Sequence, residues 1–199
     1  MPYCDERKIF WYTPARTASR SCAEIIAFLK FSEVRSHNFI TREEQVGYHL
    51  ICNTRSPYTR LVSLYQLKKF QLSNNIPEFL TWLKNRLTYQ SDMTQFEWDR
   101  LHPFREIKKS GIQLKEIIKQ ENLLEDVLKL NLTRENLNPT LFKLINDKII
   151  INLYSEEHFE KKNWFEYYNQ EISDLISKNF EYEFDLFGYN LNYWKDGTP

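Results

Sequence analysis

Two short stretches of this chain carry residue types that hold anions. The first, FWYTPARTASRS at Phe10–Ser21, is an apolar run that breaks at Pro14 and gives way to small hydroxyl residues interleaved with Arg16 and Arg20. A strand feeding a tight polar loop at the start of a helix suits a phosphate, because unpaired helix N-terminal amides and their dipole favour an anion. The loop has no glycine, so it is neither a G-x-x-x-x-G-K-[ST] phosphate loop nor a G-x-G-x-x-G dinucleotide fingerprint. The second stretch, CNTRSPYTRLVSLY, puts Arg55 at the end of an apolar run and Ser63 eight residues on, inside the helix that Pro57 opens. Arginine forks two donors onto a phosphate, and a serine a turn or two into the helix adds a third. Taken alone, Arg55 reads more readily as a surface or capping residue than as a ligand, and Ser63 can serve as a small packing residue; the independent anion loop earlier in the chain is what favours a ligand.

These residues need elements to position them. KIFWY at Lys8–Tyr12 reads as a buried strand, after which Cys22, Ile25, Ile26 and Leu29 recur at helical spacing. SEVRSHNF predicts a second strand ending near His37, TREEQ a polar connection, and YHLICN at Tyr48–Asn53 a third strand. The helix from Pro57 carries Leu61, Leu64, Tyr65 and Lys68 on one face. IPEFLTWLKNRL predicts an amphipathic helix near Pro77, while Thr88–Pro103 is polar, rich in aromatics and without a clear period; its aromatics favour packing over an acceptor site. IQLKEIIKQENL reads as a strand running into the helix LLEDVLKL, DKIIINLY as one more strand, and Phe165, Tyr168, Ile172, Leu175 and Ile176 as a long C-terminal helix. Strands alternating with helices predict a three-layer α/β fold with a mainly parallel sheet flanked by helices, and ligands in such folds bind at the carboxyl ends of the strands. No repeat, low-complexity linker or boundary interrupts residues 1–199, so the expectation is one domain.

Composition excludes several classes. Lysine plus arginine equals aspartate plus glutamate, 27 each, so there is no overall steering toward nucleic acid or an anionic membrane surface. Cys4, Cys22 and Cys52 are odd in number and form no C-x-x-C pair, which favours reduced thiols in a cytoplasmic setting over a disulfide framework or zinc. No stretch approaches the roughly 18 apolar residues of a membrane span, and no secretory leader is visible.

Taken together, the two anion stretches resemble the sulfotransferases that use 3′-phosphoadenosine 5′-phosphosulfate (PAPS). Arg55, Pro57, Ser63 and Tyr65 match the family's second signature, in which the arginine and serine hold the 3′-phosphate. ARTASRS is similar to the family's Lys-x-Gly-Thr-(Thr/Ser) loop for the 5′-phosphosulfate, with Arg16 at the lysine, Ala18 at the glycine and Ser19 at the threonine. The arginine at the lysine position occurs in tyrosylprotein-type members. Alanine at the glycine position leaves the loop without a residue that readily takes positive φ. Arg35-Ser36-His37 resembles the family's Lys-Thr-His, whose histidine is the catalytic base, and IIKQENLLEDVLKL resembles its strand-to-helix segment, with Gln120 where an adenine-stacking aromatic often sits. YYNQEISDLISKNFEYEFDLFGY is similar to the tail of the carbohydrate-type subgroup. The resemblance covers most of the chain and leaves Gln66–Pro103 and Leu130–Leu153 unmatched; the family's glycine-rich C-terminal phosphate motif is missing, with Lys161 and Lys162 as candidates for its work.

The resemblance implies a P-loop-like fold, PAPS as donor, no metal, and a saccharide or other small-molecule acceptor. Sulfuryl transfer moves SO₃ in line between two oxygens, so it needs positioning, charge stabilisation on the leaving phosphate and a proton acceptor. Arg16 would supply the charge, while the amides of Thr17, Ala18, Ser19, Arg20 and Ser21 with the hydroxyls of Ser19 and Ser21 would complete an anion pocket. Arg55 and Ser63 would hold the 3′-phosphate. His37 would take the acceptor's proton, with Glu24 and Glu121 as fallback bases. Arg20 reads equally as a phosphate ligand or a helix cap, and His49 and His102 as packing or surface residues. Two other classes stay open: a nucleotide-binding phosphotransferase with an atypical loop, and a non-catalytic nucleotide-binding module.

Overall fold

The computed structural model describes residues 2–31, 47–72, 77–89, 93–110, 113–154 and 163–196. The protein is mixed α/β, with a mostly parallel sheet and many helices. It divides into two compact units, Met1–Thr54 with Pro103–Glu157, and Arg55–His102 with His158–Pro199.

The first unit holds the sheet. Among the described residues its strands are β1 (Tyr3–Cys4), β2 (Ile9–Tyr12), β3 (His49–Thr54) and β4 (Gln113–Lys119), in the spatial order β1-β2-β3-β4. β1 runs antiparallel to β2, whereas β2, β3 and β4 are parallel, with Trp11 opposite Ile51 and Thr54 opposite Lys119. Because side chains alternate along a strand, β2 and β3 must be apolar on both faces to sit inside a covered sheet. IFWY and HLICNT meet that demand: Phe10, Trp11, Tyr12, Leu50, Ile51 and Cys52 are all buried. On one face, Trp11, Ile51 and Ile118 pack with Cys22, Ile25 and Ile26 of α1 (Ser19–Phe28). Val127 of α6 (Leu123–Lys129), Leu132 of α7 (Asn131–Asn136), and Leu141 and Ile145 of α8 (Pro139–Tyr154) complete this core. Facing the other way, the Tyr12 ring meets Phe104 edge-on at 6.2 Å and its hydroxyl donates to Pro103 O at 2.7 Å, just before the short helix α5 (Arg105–Ser110).

The second unit is helical. It contains α2 (Pro57–Gln71), α3 (Phe79–Thr88), α4 (Gln95–Leu101), a 3₁₀ turn at Trp164–Tyr167, α9 (Gln170–Phe187) and α10 (Tyr193–Asp196). α2 is buried all round from Pro57 to Tyr65, and a helix with no solvent face needs partners for every polar group it carries. Arg60, fully buried, donates to Glu183 Oε2 at 2.6 Å and to Leu101 O at 2.9 Å. Burial pushes the Glu183 carboxyl up, against the pull of Arg60 and of the Tyr182 hydroxyl. The Tyr58 hydroxyl donates to Leu191 O, and the Tyr168 hydroxyl to Tyr58 O. α9 ends at Gly188, whose φ of 62° lets Tyr189 N donate back to Phe184 O at 3.0 Å.

Three segments differ from their sequence readings. DKIIINLY is the second half of α8, not a strand. A short apolar run does not distinguish a strand from a buried helix, and the start signal lies upstream: Asn138 Oδ1 accepts from Leu141 N, directly before Pro139 at the first helical position. Thr88–Pro103, whose sequence shows no clear period, contains α4 (Gln95–Leu101), opened by a capping box in which Thr94 and Glu97 each accept the other's backbone N–H. The C-terminal helix begins at Gln170, capped by Asn169, and Phe165 and Tyr168 lie ahead of it.

Candidate functional site

The loop from Thr13 to Ala18 joins the carboxyl end of β2 to α1. Its backbone is left-handed at two non-glycine residues, Arg16 with φ 68° and Ala18 with φ 63°. Each such residue costs about 1–2 kcal/mol relative to a right-handed one, and strain of this kind collects at functional sites because the surroundings must hold it. Ala18 is the N-cap of α1, and no side-chain oxygen caps the helix. The opening amides of α1, from Ser19 to Ser21, are therefore presented by a backbone bend and not closed by a cap. Alanine thus performs the left-handed step for which the chain uses glycine at the end of α9.

Asn53 holds this bend, and the sequence reading did not assign it a role. It is fully buried near the end of β3. Its Oδ1 accepts from the Trp11 indole at 2.7 Å, and its Nδ2 donates to Thr17 O at 3.0 Å and to Cys22 Sγ at 3.1 Å. One amide side chain so ties β2, the loop and α1 to β3. The signal was a polar amide directly after the apolar run Leu50–Cys52 of a strand read as buried. Burial pushes the Cys22 thiol up to about 12, outweighing the Asn53 hydrogen bond, so Cys22 is an inert packing residue. No disulfide joins Cys4, Cys22 and Cys52.

The remaining loop residues divide by direction. Thr17 is fully buried, and both its hydroxyl and its amide donate to Pro14 O, at 2.8 and 3.3 Å. Thr17 therefore shapes the turn, and the candidate anion donors narrow to the α1 opening. Arg16, Ala18 and Ser19 are half-buried, Arg20 is exposed and Ser21 is buried. Glu24 lies on the exposed face of α1. At the same carboxyl edge of the sheet, Thr54 Oγ1 ends β3 and Gln120 Oε1 follows β4; both are buried with no hydrogen-bond partner among the described residues. Unsatisfied buried acceptors are uncommon and call for an explanation; a ligand along this edge supplies one.

Arg55 and Ser63 belong to the second unit. Arg55 precedes the Ser56 N-cap of α2, and its Nε donates to Thr59 Oγ1 at 3.0 Å. Ser63 is buried, just under two turns into the helix. The structure so gathers Arg16–Ser21 in one unit and Arg55 with Ser63 at the start of one helix in the other. His37, Lys161 and Lys162 lie outside the described residues, as do SEVRSHNF and TREEQ. His49 is exposed on β3, and His102 stacks on Phe180 at 4.8 Å and meets the tilted Trp98 ring at 4.3 Å.

No protein-family profile, curated protein or solved structure matches this chain. Among the described residues no helix is long and apolar enough to cross a membrane.

Proposed function

We propose that the protein is a sulfotransferase of P-loop-like fold that moves a sulfuryl group from PAPS to the hydroxyl of a saccharide or other small acceptor without a metal. The observation that carries this reading is the left-handed Arg16 and Ala18 at the uncapped start of α1, which present backbone amides where a parallel strand ends. The Thr54 and Gln120 oxygens on the same edge, without a hydrogen-bond partner among the described residues, fit a polar ligand there. Arg16 and the amides of Ser19–Ser21 would hold the 5′-phosphosulfate, and Arg55 and Ser63 the 3′-phosphate. Bound there, the donor would supply the sulfuryl group and release 3′-phosphoadenosine 5′-phosphate. Arg16, permanently protonated, offers charge to the phosphate oxygen that becomes negative but no proton. The acceptor's proton would pass to His37 as its oxygen bonds to sulfur.

The test follows labelled sulfate from PAPS to a panel of sugars, phenols and amines, with calorimetry of 3′-phosphoadenosine 5′-phosphate and ATP with and without magnesium. Binding of the bisphosphate without metal, with transfer to at least one acceptor, is expected; strict magnesium dependence or a preference for ATP would overturn the reading. Binding without transfer would leave a nucleotide-binding module. His37→Ala should keep bisphosphate affinity within a few-fold and lower turnover about 10²–10⁴-fold. Wild-type turnover should fall as pH drops through the histidine pKa, because the protonated imidazole has no lone pair for the acceptor's proton.

A further inference from the structure

The second unit contains a cavity of about 480 Å³ that the nucleotide reading does not use. All its described lining residues lie on or beside α2, α3 and α4. Leu64, Leu67, Trp82, Met93 and Leu101 form an apolar wall, and the volume is that of a small-molecule pocket. Trp82 is 7% exposed, and its indole N–H has no acceptor among the described residues, a cost that a bound acceptor would relieve.

The polar part of the lining is unbalanced in charge. Among the described lining residues Lys68, Arg86 and Arg100 are cationic and Glu97 is the one carboxylate. Lys68 Nζ and Arg86 Nη1 both approach the same oxygen, Glu97 Oε1, at 3.3 and 3.2 Å. The other carboxylate oxygen accepts from the Thr94 amide and hydroxyl. Burial pushes the Glu97 carboxyl up, but the Thr94 amide, Arg86 and Lys68 outweigh it and leave it lowered. Glu97 is so an anchored anion that orients two cations while neutralising one, and a lining with excess positive charge beside an apolar wall attracts an anion with an apolar body.

We infer that this cavity binds a small, flat, apolar molecule bearing one carboxylate-type anion, its body against Trp82 and the leucines and its charge toward Arg86 and Lys68. The inference rests on the second unit alone and is independent of the sulfotransferase reading. The test uses the full chain without nucleotide and titrates naphthalene-2-carboxylate and its neutral counterpart naphthalene-2-carboxamide by calorimetry, with tryptophan fluorescence as a second signal. The carboxylate should bind at least about tenfold more tightly than the amide, the factor expected of a charge-assisted hydrogen bond. Arg86→Gln and Lys68→Gln, each checked for an unchanged unfolding midpoint, should weaken the carboxylate several-fold and leave the amide alone, and Arg86→Lys should restore part of the loss. Equal affinity for the two probes, no binding of either, or an unchanged carboxylate affinity in both glutamine variants would overturn the proposal.

Discussion

Two of the strand-to-helix turns among the described residues, after β2 and after β3, are built in opposite ways. After β2, the backbone goes left-handed at Arg16 and Ala18, the helix start has no side-chain cap, and Asn53 pins the loop from a neighbouring strand. After β3, Ser56 stays at negative φ (−47°), Pro57 takes the first helical position with its φ already fixed, and Arg55 closes locally onto Thr59. The first junction is strained and held by tertiary bonds; the second is relaxed and held by sequence-local chemistry. A strained turn with its amides on offer is what an anion site needs, because the donors are oriented before the ligand arrives.

That contrast can be broken from the outside in. The largest effect should come from the core of the helix that the second junction opens: Glu183→Ala removes the carboxylate that buried Arg60 meets at 2.6 Å and should destabilise by about 3–5 kcal/mol, read from urea unfolding. The brace of the first junction is Asn53. Asn53→Ala removes the partner of the Trp11 indole and of Thr17 O, so unfolding measurements should show a loss of about 1–3 kcal/mol for each buried group left unsatisfied. If the loop holds the donor, this variant should also lose nucleotide affinity.

Arg55 separates binding from folding. Arg55→Ala should weaken 3′-phosphoadenosine 5′-phosphate by about 1.5–3 kcal/mol, the range for a hydrogen bond to a charged group, at an unchanged unfolding midpoint; intact affinity would remove Arg55 from the site. The smallest effect should be a gain. Ala18→Gly relieves a left-handed alanine and should stabilise by about 1 kcal/mol. Ser56→Gly, at a residue with negative φ, should bring no gain. A loss of stability in Ala18→Gly would mean that the first junction is not strained.

Much of the scaffold was legible from local chemistry. Aromatic and β-branched runs gave away β2 and β3, helical spacing marked α1, and Pro57 marked the start of α2. The two anion-type stretches were recognisable by residue type alone. α8 and α4 are less legible although the Asn138-Pro139 start and the Thr94–Glu97 capping box are both in the sequence, because a short β-branched run suits a strand as well as a buried helix and an irregular apolar period marks neither.

Sequence by itself determined which residues could bind an anion, since charge, hydroxyl count and the absence of glycine are properties of residue type. Only the tertiary structure decided how they are used. Nothing local tells an alanine to go left-handed, because its own preference is the reverse; the bend at Ala18 exists where the Asn53 amide fixes Thr17 and α1 is packed against Trp11 and Ile51. Within the loop so held, both Thr17 donors close onto Pro14 O three residues back, which leaves the α1 amides as the candidate donors. Asn53 itself is an ordinary residue type whose role depends on partners distant in sequence, 42 residues away at Trp11 and 36 at Thr17, and a contact of that span is created by folding.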